Sequence, residues 1–260
     1  MKLKEYKDSY GNFYQLSNLE ESPTTIFIHG VGLDNTMWYP QKEHFHKKSV
    51  LFYDLINHGQ SNGGFKELSF EVYSKQLLNL INELKLEKIN LVGFSIGALI
   101  AQHFTEKFYK RINKLVLIAS VFQRSKKQIE IVKKRYNEAL NGSSISDDSI
   151  KRWFSQNYLE NNPQVYDFFY DLLEKKNNKD FLTAYKIFVN SDLYPINYNN
   201  FKMPTLIMTG ENEVGSTFLM SEGISKEIQN SFLYIIKNAK HGATIEQSND
   251  VNKQINNFLF

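Results

Sequence analysis

The chain has 260 residues, a formal net charge of +3 and no cysteine. The lack of thiols excludes disulfides, thiolate metal sites and a cysteine nucleophile together. Hydrophobic residues make up 42% and charged residues 23%, a balance that fits a globular chain with a sizeable core; the lysines interleave with glutamates and form no basic stripe that would track a nucleic acid.

At the start, "MKLKEYKDSYGNFYQL" holds no apolar core of signal-peptide length. No apolar run anywhere approaches the roughly 20 residues of a membrane span. The expectation is a cytoplasmic protein with neither a membrane nor a nucleic-acid partner. The same opening stretch predicts an exposed hairpin turning near Tyr10-Gly11-Asn12. "TTIFIHG" reads as a buried strand closed by the glycine-rich turn His29-Gly30-Val31-Gly32, and "SVLFYDL" as the next strand. From Phe70 to Leu84, Val72, Tyr73, Leu77, Leu80, Ile81 and Leu84 recur at helical steps. "INLVGFS" runs as a strand from Ile89 to Phe94 and meets a helix at Ser95; "KLVLIAS" is a further strand. The alternation then stops. From about Val121 to Leu193 the pattern predicts four or so amphipathic helices, broken near "NGSSISDD", "NNP" and "KKNNKD", with Ser146 at a helix start. "PTLIMTG" and "SFLYIIK" resume the sheet. Strands alternating with helices imply an α/β fold with a mostly parallel sheet.

Within that frame "GFSIG" carries chemistry. A serine on a tight strand-to-helix turn needs small neighbours, Gly93 and Gly97, and its hydroxyl then projects at a helix N-terminus. Such a hydroxyl needs a base. Of the six histidines, His44 and His46 lie in a polar helical stretch, His103 lies inside the helix after Ser95, and His29 and His58 sit beside glycines. His241, in the loop after the last strand, remains. "TGENEVGS" offers Glu211 and Glu213 as the carboxylate that orients it. The amides of Val31 and Ile96 are the expected oxyanion donors, each worth roughly 3–4 kcal/mol. No cofactor is expected. No metal is expected either, because only His44 and His46 lie close together, two residues apart and on different faces of a helix.

These pieces, "HGVG", "DLINHGQS", "GFSIG", "MPTLIMTGENE" and "KHGATIEQ", resemble the α/β-hydrolase superfamily over nearly the full chain. "HGVGLDNTMWYPQ", "RWF", "DL" at Asp192-Leu193 and "TGENEVGST" look most like the 3-oxoadipate enol-lactonase group and related carboxylesterases. The resemblance implies an eight-stranded, mostly parallel sheet flanked by helices. An all-helical cap (121–198) would be inserted before the last two strands of a core made of 1–120 and 199–260. It implies a Ser95–His241–Glu213 triad acting on a small carboxylic ester or lactone through an acyl-enzyme; Asp192 is the next residue to test as the acid only if neither Glu213 nor Glu211 serves. Trp38, Arg152, Trp153 and Phe154 are the candidate pocket residues; Trp38 reads equally well as packing, and Arg152, which a substrate carboxylate could engage, reads first as an exposed surface arginine. Two departures stand out: glutamate replaces the usual aspartate at 213, and Asn57 replaces the usual glycine before "HG". A small-molecule receptor that keeps the triad but turns over slowly is one rival reading. A carbon–carbon bond hydrolase is another, weakened by Phe94 before the serine and Gly242 after the histidine.

Overall fold

A computed structural model describes residues 3–17, 23–176 and 178–260. Met1 and Lys2 of the opening stretch and Asn177 of the expected "KKNNKD" break lie outside the described residues.

The apolar runs become strands β1 (Lys4–Lys7), β2 (Phe13–Leu16), β3 (Thr24–Ile28), β4 (Val50–Tyr53), β5 (Ile89–Phe94), β6 (Ile112–Ile118), β7 (Thr205–Gly210) and β8 (Ser231–Ile236). They form one sheet in the order β1-β2-β4-β3-β5-β6-β7-β8. The β1–β2 and β2–β4 pairs are antiparallel, and the five others are parallel. β3, β4, β5 and β7 are buried at every position, which is why they read as unbroken apolar runs and not as alternating ones. The N-terminal hairpin turns where expected. Asp8 accepts from the amides of Tyr10 and Asn12, and Gly11 takes a φ of 79°.

The core helices are α1 (Tyr39–Phe45), α2 (Phe70–Glu83) and α3 (Ile96–Phe108). α2 buries Phe70, Tyr73, Leu77, Leu80 and Ile81 along one stripe, and the Ser69 side chain caps it by accepting from the Val72 amide. Between β6 and β7 come five helices, one more than the pattern suggested: α4 (Lys126–Leu140), α5 (Ser146–Trp153), α6 (Gln156–Asn161), α7 (Pro163–Lys175) and α8 (Asn178–Val189). The extra one is the short α6, set apart by the Ser155 cap and the Asn162-Pro163 step. Ser146 does begin α5, but as its first helical residue and not as its cap; its hydroxyl donates to Glu174 at 2.5 Å. The chain closes with α9 (Phe218–Glu227), α10 (Ala243–Glu246) and α11 (Ser248–Leu259).

The sheet order fixes where a ligand can enter. β3 lies between β4 and β5, so the chain leaves β3 in one direction and later returns to its other side. The crevice at the carboxyl ends of β3 and β5 is such a switch point, and it receives the turn after Ile28 and the turn at Ser95. The helical segment is held at its roots there. Arg124, after β6, donates from Nε to Asp192 at 2.7 Å and from Nη2 to Phe188 O and Val189 O at the end of α8 and to Ser191 Oγ just beyond it. Asp192 is thereby committed to Arg124 and is no reserve acid.

Candidate active site

Ser95 follows β5 and precedes α3 at φ 57°, ψ −118°, a conformation that costs an L-residue free energy and persists only where the surroundings enforce it. The enforcement is visible on both sides. A Cβ on Gly93 would stand 2.3 Å from Gly97 O, and one on Gly97 would stand 2.4 Å from Ile28 O. Neither position tolerates any other residue without backbone movement. The Ser95 amide is tied to Ile118 O on β6 at 2.9 Å. Ile96 opens α3, so its amide is among those a helix leaves unpaired at its start.

His241 and Glu213 meet as the loop order required. His241 Nδ1 lies 2.7 Å from Glu213 Oε2, and Glu213 Oε1 accepts from the amides of Gly215 and Ser216. Burial alone would raise the Glu213 carboxyl. The adjacent His241 and the two amides outweigh it and bring the pKa down to about 2, so the carboxylate stays ionised. Because Nδ1 donates to Glu213, the neutral imidazole keeps its lone pair on Nε2. The ring is flanked by Phe94 at 4.9 Å and Trp153 at 6.2 Å. Glu211 lies apart, paired with Lys237 at 2.7 Å and accepting from the Asn238 amide.

Ser95, His241 and Glu213 line one cavity of about 230 Å³, together with Val31, Arg152 and Trp153. No hydrogen bond joins Ser95 to His241 among the described residues; in unliganded sites this contact is often long and tightens on binding. Trp38 and Phe154, expected in the pocket, are in the core instead. Trp38 is fully buried edge-on against Phe27 and Phe94, and Phe94 forms the cavity wall in its place. α5 ends at Trp153, so Phe154 continues in extended conformation and packs against Phe169 and the backbone of Gly242, where a Cβ would lie 2.3 Å from its ring.

The cavity wall also holds Arg124 and Arg135, which the sequence reading passed over. The signal was present. The chain has only four arginines among 31 basic residues, and three of them, Arg124, Arg135 and Arg152, line this one cavity. Burial, then the neighbouring Arg135, lowers the Arg152 pKa, and no carboxylate forms an ion pair with Arg152 among the described residues. Arg124 Nη1 is buried without a hydrogen-bond partner.

A family model described as alpha/beta hydrolase fold matches residues 23–248. The chain belongs to that family. This α/β-hydrolase is 26% identical over 241 residues to the (E)-2-((N-methylformamido)methylene)succinate hydrolase of Acinetobacter baylyi, covering 92% of the chain and 91% of the relative. It is 24% identical to 3-oxoadipate enol-lactonase 1 of the same organism, covering 90% and 87%. Among solved structures, the enol-lactonase of Burkholderia xenovorans superposes with a TM-score of 0.88 at 22% identity, over 95% of this chain and 96% of that one. Family and relatives together support hydrolase activity on a small molecule. The family departure at Asn57 is absorbed locally: the residue adopts φ 65° and pairs with the backbone of Phe65 through both ends of its amide. Among the described residues no group of three or more His, Asp or Glu side chains could hold a metal, and no helix is long and apolar enough to cross a membrane.

Proposed function

We propose that the α/β-hydrolase cleaves a small carboxylic ester or lactone, itself bearing a carboxylate, through an acyl-enzyme on Ser95. The observation that carries the reading is the Glu213–His241 hydrogen bond beside a strained serine in one cavity. Ser95 Oγ attacks the carbonyl carbon as His241 Nε2 takes its proton. The amides of Val31 and Ile96 hold the oxyanion. His241 then protonates the leaving oxygen, the acyl group stays on Ser95, and a water activated by the same nitrogen releases the acid. Glu213 holds the ring and its charged form throughout. Residues 121–198 act as the cap that shapes the pocket over a core of 1–120 and 199–260.

The carboxylate requirement is supported by the arginines. Arg152 is half-buried without an ion pair, and a ligand anion would offset the cost of desolvating its guanidinium. The names of the two Acinetobacter relatives point the same way, being those of a succinate derivative and of a 3-oxoadipate lactone. The test is a panel of matched acidic and neutral esters and lactones, assayed with wild type, Ser95→Ala and Arg152→Gln. Ser95→Ala is expected to lose several orders of magnitude on every substrate. Arg152→Gln should raise KM about tenfold or more for acidic substrates alone. Equal effects on acidic and neutral substrates would remove the carboxylate from the reading, and a Ser95→Ala variant within about tenfold of wild type would remove the serine.

A further inference from the structure

His58 takes no part in the proposed chemistry, yet it is 7% exposed and lies directly behind the oxyanion turn. Its Nδ1 sits 3.0 Å from Ile56 O, which can only accept, so Nδ1 carries the proton. Nε2 then offers a lone pair, and the Gly32 amide donates to it at 3.1 Å. His29 has the same tautomer: Nδ1 donates to Gly30 O at 2.8 Å, and Nε2 accepts from the Leu55 amide at 2.9 Å. The two rings stand edge-on with centroids 5.1 Å apart. Burial pushes both pKa values down, His29 to about 4 and His58 to about 3, which keeps both rings neutral near pH 7.

The consequence falls on Val31. Within the turn, the Leu33 amide donates to Gly30 O at 3.2 Å, and Gly32 sits at φ 74°, where glycine is favoured. Gly30 C=O and Val31 N–H belong to one planar trans peptide, so pinning the carbonyl aims the amide the opposite way. The next peptide must be held too, because rotation there would carry Val31 with it. Its N–H is the Gly32 amide, and His58 is its acceptor. With its neighbours committed, Val31 N–H makes no hydrogen bond to the protein among the described residues, and Val31 lines the cavity.

We infer that His58 is a positioning residue for the oxyanion hole: by accepting the Gly32 amide at Nε2 it fixes the peptide after Val31 and so holds the Val31 N–H at the reacting carbonyl. The inference rests on the serine-hydrolase reading and makes a separate demand. Only species with a developing oxyanion should sense His58.

The experiment compares His58→Phe, which removes the acceptor, with His58→Gln, whose Oε1 occupies much the same place as Nε2. Each is assayed for kcat and KM on one ester, and for affinity towards a trifluoromethyl ketone and the corresponding methyl ketone. The fluorinated ketone adds Ser95 Oγ across its carbonyl, forming the C–O bond while the proton passes to His241 and the former carbonyl oxygen becomes the oxyanion. The methyl ketone stays planar. His58→Phe is expected to lower kcat about tenfold or more with KM within about threefold, and to weaken the trifluoromethyl ketone by a similar factor while sparing the methyl ketone. His58→Gln should recover most of the loss. If His58→Phe does not fold, His58→Asn carries the comparison, because its shorter amide retains a donor for Ile56 O but does not reach Gly32. Parallel loss of both ketones, or a Gln variant no better than Phe or Asn, would overturn the role of His58. A wild type that the trifluoromethyl ketone does not inhibit would overturn the serine reading itself, and this inference with it.

Discussion

Glu213 illustrates how much a single side chain can decide. One carboxylate oxygen takes two backbone amides and the other takes His241, so the group is fixed on both sides before any substrate arrives. Glu211, two residues earlier, points to Lys237 at the surface. Glu213→Gln is therefore expected to lower kcat by more than about a hundredfold and Glu211→Gln by less than about tenfold, read from steady-state kinetics on one ester. The reverse ranking would move the acid to Glu211. The residues of this centre were legible because each sits in a short sequence pattern whose geometry is local. Gly93 and Gly97 could be read as obligatory because a strand-to-helix turn leaves no room for a Cβ. Val31 could be read as a donor from the glycines beside it. The tautomers of His29 and His58 were not legible, because the amides of Leu55 and Gly32 that donate to their Nε2 atoms lie 26 residues away in the other turn.

At the level of elements, the buried strands declared themselves as apolar runs, and α2 declared itself by its stripe. The segment between β6 and β7 was legible as helical but not as a surface. Helical period tells which residues share a face, not what that face meets. Phe154 and Trp153 are neighbours, yet the end of α5 sends one to the core and the other to the cavity wall. Arg124 was missed for the same reason, since its partners lie 64 to 68 residues further on. Its side chain is 1% exposed and ties the strand exit of the helical segment to its return. Lysine keeps the charge but not the fork of donors. Arg124→Lys is expected to destabilise the fold by about 2 kcal/mol or more, measured by urea unfolding, because the carbonyls of Phe188 and Val189 and the Asp192 carboxylate lose their shared donor. An unchanged unfolding midpoint would show that the roots of the helical segment are held by other contacts.

The whole molecule carries three histidines that stay neutral in the fold. Burial pushes His103 down to about 4, where it stacks on Phe70 at 4.0 Å, and it does the same to His29 and His58. An ordinary histidine titrates near 6.5, so below that pH the unfolded chain takes up protons that the folded chain refuses. The stability tied to these groups is complete above about pH 6.5 and is lost as the pH falls towards 4 and 3. The urea midpoint should drop across that window, and His103→Gln should flatten part of the slope. A midpoint that is flat from pH 6.5 to 4 would mean that the buried rings are protonated in the fold.

The eight-stranded sheet, the switch point beside β3 and the clustered arginines all converge on one cavity, and the central claim is that Ser95 is its nucleophile. The most direct measurement is intact and peptide mass after treatment with a fluorophosphonate, in which the serine oxygen bonds to phosphorus and fluoride leaves. One equivalent of label is expected, on the peptide containing Ser95, with ester hydrolysis lost in proportion to labelling and no labelling of Ser95→Ala. Label on another residue, or full turnover by enzyme labelled at Ser95, would contradict the assignment of Ser95.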